Sequence, residues 1–150
     1  MTIHKPHSFY HYTPIQIRFN DIDQLEHVTN SVYQQYYDLG RLSYFEDVLK
    51  EHMNWDVEGP VLASISIEFL LPIRLFDKIE VRSKIFEVGN KSIKMTQEIY
   101  NHTKGEVSST SKAVMVNFSN SSGKTLPVPD KWRKQIAEFE KDLSFGVNIK

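Results

Sequence analysis

The sequence predicts an α+β domain in which one layer of antiparallel sheet lies around a single long helix. Three observations carry that prediction. An apolar, aromatic face recurs at helical spacing through residues 31–52. Several later runs alternate apolar and polar side chains, as half-buried strands do. The turns between those runs are short, and short turns make consecutive strands antiparallel neighbours.

Bulk properties narrow the class. The chain has 150 residues, 40% hydrophobic and 25% charged, enough for one compact domain with one core. A single domain over 1–150 is therefore expected. A net charge of -1 gives no general attraction to nucleic acid or to an anionic membrane, and neither is expected as a partner. The absence of cysteine excludes disulfides, cysteine zinc sites and a thiol nucleophile. The N-terminal "MTIHKPHSFYHYTP" has no apolar core of signal-peptide length, and no run approaches the about 20 apolar residues of a membrane-spanning helix. A cytoplasmic location is the expectation.

Taken in order, residues 1–12 read as a loose polar and aromatic arm, with His4, His7 and His11 solvated. "PIQIRFN" alternates, placing Ile15, Ile17 and Phe19 on one face of a strand. "DIDQLEHVTN" is a connector. "SVYQQYYDLGRLSYFEDVLKEH" reads as the long helix, opened by a capping box between Ser31 and Gln34. Tyr33, Tyr36, Tyr37, Gly40, Tyr44, Phe45 and Val48 form its apolar face. Glycine costs a helix about 1 kcal/mol relative to alanine, so Gly40 implies something packed close to the helix backbone.

"VLASISIEFLL" follows as a strand with Val61, Ala63, Ile65, Ile67 and Phe69 on one face, stopped or bent by Pro72. "DKIEVRSKIFEV" sets Ile79, Val81, Ser83 and Ile85 against Glu80, Arg82 and Lys84. "GNKS" is a turn, "SIKMTQEIYN" a strand, "HTKG" a turn, and "EVSSTSKAVMVNFSN" a long strand. After the "SSGKT" turn, prolines lead into a charged helix and tail over 129–150.

Several chemical motifs fail on inspection. "SNSSGKT" ends like a phosphate loop, but Phe118 stands where that pattern needs its first glycine, and no helix follows. "DIDQLE" opens like a calcium loop, but Leu25 occupies a ligand position and Glu26 the obligatory glycine. Asp21, Asp23, Glu26 and His27 contain metal-ligating types, yet they crowd one short connector and nothing else supports a metal. No metal or other cofactor is expected.

What remains is the strand-to-helix junction. A helix N-terminus offers unpaired N–H groups and partial positive charge, which suit a carbonyl oxygen becoming an anion. Carboxylates precede it by a few residues, and a carboxylate can serve as base or nucleophile. The same Asp and Asn residues are also ordinary turn and capping types.

The junction, Asp21-Ile22-Asp23-Gln24-Leu25-Glu26-His27-Val28-Thr29-Asn30-Ser31-Val32-Tyr33, resembles the signature of hotdog-fold acyl-CoA thioesterases of the 4-hydroxybenzoyl-CoA thioesterase type. That signature runs Asp-x-Asp, two residues, Gly-His-Val-x-Asn, two residues, Tyr. The likeness extends in order over roughly residues 13 to 135, through "ASISIEFLLPIRLFDKIEVRSKI", "GNKSIKMTQEIYN" and "AVMVNFSNSSGKTLPVPDKWR". It implies a curved antiparallel sheet wrapped around one long central helix. It also implies paired subunits, as a homodimer or homotetramer, with active sites at the interface.

By position, the resemblance implies that Asp23 attacks an acyl-CoA thioester or activates a water. A backbone N–H near Asn30 would hold the carbonyl oxygen, and Asp21 would shape the turn. His27 and Tyr33 would line or support the site. Gly89, Asn90, Lys91 and Ser92 would meet the nucleotide or pantetheine of CoA, with Lys91 as a point charge for phosphate. Acyl-ACP is a second possible carrier. Two departures stand out. Glu26 replaces a glycine that would permit φ > 0, so it either crowds the thioester or adds a second carboxylate. Phe76 replaces another turn glycine. Glu26 motivates an alternative, a non-catalytic protein of this fold that binds an acyl thioester. A dehydratase of the same fold would need a histidine on the helix, and none occurs there before His52.

Overall fold

The computed structural model describes residues 8–147. His4, His7 and the last three residues of the tail lie outside the described residues. The elements are β1 (His11–Ile15), a 3-10 turn (Phe19–Asp21), α1 (Asn30–Leu49), β2 (Gly59–Phe69), β3 (Ile79–Val88), β4 (Ser92–Asn101), β5 (Glu106–Ser119), β6 (Lys124–Thr125) and α2 (Asp130–Glu140), followed by a last 3-10 turn (Leu143–Gly146). The sheet is antiparallel, in the order β1-β3-β4-β5-β2, with β6 pairing β5. It packs on α1, so the expected α+β architecture of one sheet layer and one long helix is the one observed.

β1 lies earlier than its alternation predicts. It starts inside the expected arm and ends at Ile15, because Ile15 pairs with Ile79, where β3 itself begins. Phe19 then lies in the 3-10 turn and is 79% exposed instead of sharing a buried face with Ile15. His11 is buried, contrary to the solvated reading. Its Nε2 lies 2.7 Å from Asp47 Oδ2, and its ring meets Tyr44 edge-on at 5.3 Å.

α1 buries the expected aromatic face. The space at Gly40 explains its glycine: a Cβ there would stand 2.5 Å from Val81 Cγ1. The capping box is not formed. Thr29 is the N-cap, so Ser31 falls within the first turn, and no side chain caps the helix. Leaving the first N–H groups uncapped bears on the site below.

β2 departs from simple alternation through a register shift between Leu62 and Ser64. The extra residue, Ala63, reverses the phase. Leu62 therefore packs on the core while Val61 is exposed, and Ile65 and Ile67 regain the inner face. Such bulges concentrate at sheet edges, and β2 has β5 as its sole neighbour among the described strands. β3 follows its predicted pattern, with Ile79, Val81, Ser83 and Ile85 buried, and β4 and β5 form as the strands expected.

The core has two clusters along the sheet. One gathers Val28, Tyr33, Tyr36, Ile73 and Ile79 near the start of α1 and β3. The other gathers Tyr44, Leu49, Ile85, Met115, Trp132 and Ile136 near their ends. α2 closes the second. Its Glu140 Oε2 accepts from Tyr44 Oη at 2.6 Å and from the Ile85 backbone N–H at 2.9 Å. β1 extends only to the level of Ser83, so the carboxylate satisfies a buried N–H that no strand reaches.

Candidate active site

The connector 18–29 is organised by its first aspartate. Asp21 is buried, and its Oδ2 accepts from the Arg18 backbone N–H at 2.9 Å and from Tyr36 Oη at 2.7 Å. Its Oδ1 accepts from Arg18 Nε at 3.1 Å. Burial pushes this carboxyl up, but the bonds from the Arg18 backbone, Tyr36 and the Arg18 guanidinium outweigh it and hold the pKa below the ordinary value. Asp21 thus ties the connector to α1 and has no free face for substrate.

The second aspartate heads a small hairpin. Ile22 and Val28 form an antiparallel bridge. Between them the Asp23 N–H donates to His27 O at 2.9 Å, and the Glu26 N–H donates to Asp23 O at 3.0 Å. Three-residue hairpin loops of this kind end in a left-handed residue, and Glu26 has φ 64°. The structure therefore requires positive φ where the related signature has glycine. Asp23 Oδ1 accepts from the Leu25 N–H at 2.8 Å, the local bond that makes aspartate a good turn opener. The rest of the Asp23 side chain faces solvent.

Two backbone bonds fix the start of α1 beside this hairpin. The Thr29 N–H donates to Asp21 O at 2.9 Å, and the Val28 N–H donates to Ile73 O at 2.8 Å. The first N–H groups of a helix have no intrahelical acceptor, and here no side chain caps them. Asn30 and Ser31 are exposed. An exposed carboxylate thus lies a few residues from an uncapped helix N-terminus, with partial positive charge available for an oxyanion.

The other expected residues around the hairpin take different positions. His27 is half-buried. Tyr33 is 2% exposed and packs edge-on against Phe69 at 4.9 Å, so it supports the wall from within. Burial pushes its hydroxyl pKa up, partly offset by a hydrogen bond with the Ile73 backbone. Glu26 leans toward Arg74, 3.7 Å away, and both are exposed. Phe76, 90% exposed, lies two residues beyond Arg74. Of the two departures from the related pattern, Glu26 lies in the Asp23 hairpin and Phe76 is exposed in the loop that carries Arg74.

The "GNKS" turn is at the other end of the sheet. Val28 and Ile73 pack with Ile79 at the start of β3, whereas Gly89 follows Val88 at its end. Ten residues of strand span about 30 Å. One subunit therefore does not bring Gly89, Asn90, Lys91 and Ser92 to Asp23. The turn is held from behind. Arg133 Nη2 donates to Gly89 O and, at 3.3 Å, to Asn90 O. The Val128 N–H donates to Asn90 O at 2.8 Å, and the Asn117 N–H to Lys91 O at 2.9 Å. Lys91 is exposed.

Sequence reasoning missed Tyr36 as the partner of Asp21, and Arg133. Arg133 carried a signal: it shares the buried face of α2 with Trp132, Ile136 and Ala137, a guanidinium in an apolar stripe. Two surface clefts, of about 210 and 340 Å³, lie along α1 and touch neither Asp23 nor the 89–92 turn. Among the described residues no three His, Asp or Glu side chains converge as a metal site, and no helix is long and apolar enough to cross a membrane.

Comparison with known proteins agrees with this architecture. The chain is 25% identical over 129 residues to YsmA of Bacillus subtilis strain 168, an uncharacterised protein, covering 86% of each chain. It superposes on the PA5185 protein of Pseudomonas aeruginosa with TM-score 0.80 at 20% identity, covering 88% of this chain and 92% of that one. A thioesterase from Thermus thermophilus, solved with coenzyme A and Zn, gives TM-score 0.77 at 27% identity, over 90% of this chain and 97% of that one. Residues 17–136 match the family model of the Thioesterase-like superfamily. With its antiparallel sheet on one long helix and that match over most of its length, the chain belongs to the Thioesterase-like superfamily of hotdog-fold proteins.

Proposed function

We propose that this protein hydrolyses acyl-CoA thioesters to a free carboxylic acid and CoA. One observation carries the reading: the exposed Asp23 carboxylate is presented by a tight hairpin just ahead of the uncapped N-terminus of α1. Asp23 either attacks the thioester carbonyl, forming a mixed anhydride that water then hydrolyses to the free acid, or takes a proton from a water that attacks the carbonyl directly and passes it to the departing thiolate. The backbone N–H near Asn30 holds the developing oxyanion, and the C–S bond breaks to release the thiol. Loss of one such donor costs about 3 kcal/mol of transition-state stabilisation. His27 and Glu26 border the acyl end, Tyr33 supports it from the core, and residues 89–92 receive the CoA end. The coenzyme A bound by the Thermus thermophilus relative supports that carrier.

The separation of the two regions within one subunit supports a homodimeric or homotetrameric assembly. β2 presents an outer edge with no strand partner among the described residues, with Val61, Phe69 and Leu70 exposed along and just beyond it. Light scattering of the purified protein tests this.

The test of function is thiol release from short-, medium- and long-chain and aromatic acyl-CoAs, comparing wild type with Asp23→Asn. Asn keeps an oxygen for the Leu25 N–H, so the variant should stay folded while turnover is lost. Full activity in Asp23→Asn would remove Asp23 from the mechanism. The left-handed glutamate at 26 favours a second reading, acyl-thioester binding without turnover. Saturable binding of a non-hydrolysable acyl-CoA, with no thiol release across the panel or from acyl-ACP, would support it.

A further inference from the structure

We propose that Arg133 is a positioning residue for the anionic, nucleotide end of the carrier, setting both the shape and the field of the 89–92 turn. The proposal rests on the acyl-CoA reading above and adds to it a residue of the C-terminal helix. Arg133 is fully buried, and its described hydrogen bonds go to two carbonyls of the turn. With the bonds from the Val128 N–H and from the Asn117 N–H of the neighbouring strand β5, the carbonyls of Gly89, Asn90 and Lys91 are all held. A trans peptide carries its N–H opposite its C=O, and there is no cis peptide among the described residues. The bonds to Asn90 O turn the Lys91 N–H away from Arg133 and Val128 and fix the turn that carries the exposed Lys91 side chain. A backbone N–H beside a lysine ammonium suits an anionic ligand.

The charge argument is independent. Nε and Nη1 of Arg133 are buried without a hydrogen-bond partner among the described residues. No carboxylate among the described residues hydrogen-bonds to it, and the charge of Asp130, three residues earlier on α2, only partly offsets the cost of burying it. The field of a buried guanidinium is weakly screened. Holding the turn's carbonyls alone would not require a full charge beneath it. An anion on the outer side of the turn adds the counter-charge that Asp130 supplies only in part.

The experiment is calorimetric titration of wild type, Arg133→Gln and Arg133→Lys with CoA and, separately, with pantetheine, which lacks the nucleotide. A thermal melt of each variant accompanies it. The expectation is roughly ten-fold weaker CoA binding in Arg133→Gln, equivalent to about 1.4 kcal/mol, with pantetheine binding unchanged. Arg133→Lys should fall between, because it keeps charge but loses the fork. In acyl-CoA turnover the loss should appear in KM with kcat retained. Unchanged CoA affinity in Arg133→Gln, or an equal loss for pantetheine, would overturn the proposal while leaving the thioesterase reading intact. If Arg133→Gln does not fold, Arg133→Lys decides by the same comparison. A wild type that releases thiol from acyl-CoA but binds pantetheine as tightly as CoA also refutes it. A wild type that neither binds CoA nor turns over its thioesters refutes both readings together.

Discussion

Replacing Glu26 by glycine should make the protein more stable, an unusual direction for a change beside an active site. Glu26 holds φ 64° to close the Asp23–His27 hairpin. A left-handed backbone costs an L-residue about 1–2 kcal/mol. Glycine avoids that cost but loses more freedom on folding, by roughly 0.5–1 kcal/mol. The ion pair given up is 3.7 Å long between side chains 54% and 85% exposed, so it contributes a few tenths of a kcal/mol at most. The net gain is about 0.5 kcal/mol, within a range of about 0–1, and Tm rises by roughly 2–4 °C per kcal/mol for a chain of this size. Urea unfolding of wild type, Glu26→Gly and Glu26→Ala isolates the cause. Alanine removes the same carboxylate but keeps the strain, so it should match wild type within about 0.5 kcal/mol. If glycine is no more stable than alanine, backbone strain at Glu26 is not the controlling effect. The same pair read by thiol release separates side chain from backbone: relief in both variants implicates the side chain, and relief in glycine alone the backbone.

Asp21→Asn should destabilise by about 2 kcal/mol, since the amide presents a donor to the Arg18 and Tyr36 donors. The acid dependence should change too. Because the folded pKa of Asp21 lies below its ordinary value of 3.8, its contribution is full above that value and is lost as pH falls through the folded pKa. Urea unfolding through the acid range should therefore show a shallower decline in Asp21→Asn. Gly40→Ala should be destabilising even though alanine favours helix by about 1 kcal/mol, because its Cβ would meet Val81 Cγ1 at 2.5 Å and overpacking costs about 1–3 kcal/mol. Adding Val81→Ala should recover part of the loss in a thermal melt.

The elements readable from sequence were those whose pattern is set by burial on a regular backbone. α1 and β3 each have one face on the core, so periodicity reports them directly, and the short turns around β4 and β5 mark those strands. The errors arose where a partner sets the answer. β1 ends where β3 begins, and nothing in "PIQIRFN" encodes that limit. The bulge at Ala63 belongs to an edge strand and inverts an otherwise persuasive alternation. Ser31 and Gln34 have capping-box spacing, but Asp21 O takes the Thr29 N–H and sets the helix start earlier. In the site, the resemblance to the thioesterase signature singled out Asp23 and Glu26, and the glycine of that signature at position 26 foreshadowed the positive φ there. The roles of Tyr36 and Arg133 depend on contacts 15 and 44 residues away in the chain, beyond any local pattern.

The length of β3 between Asp23 and the 89–92 turn has a thermodynamic corollary. Substitutions much more than about 10 Å apart, with no shared partner, add in their effects. Within a lone subunit, Glu26→Gly and Arg133→Gln should therefore be additive in stability. If the pair proves non-additive in kcat/KM, the interaction term must cross from one subunit to another through a shared ligand. A double-mutant cycle at these positions would then report molecular partnership without a structure of the assembly. Mixed oligomers, carrying one substitution on each subunit, would show which subunit's turn serves which aspartate.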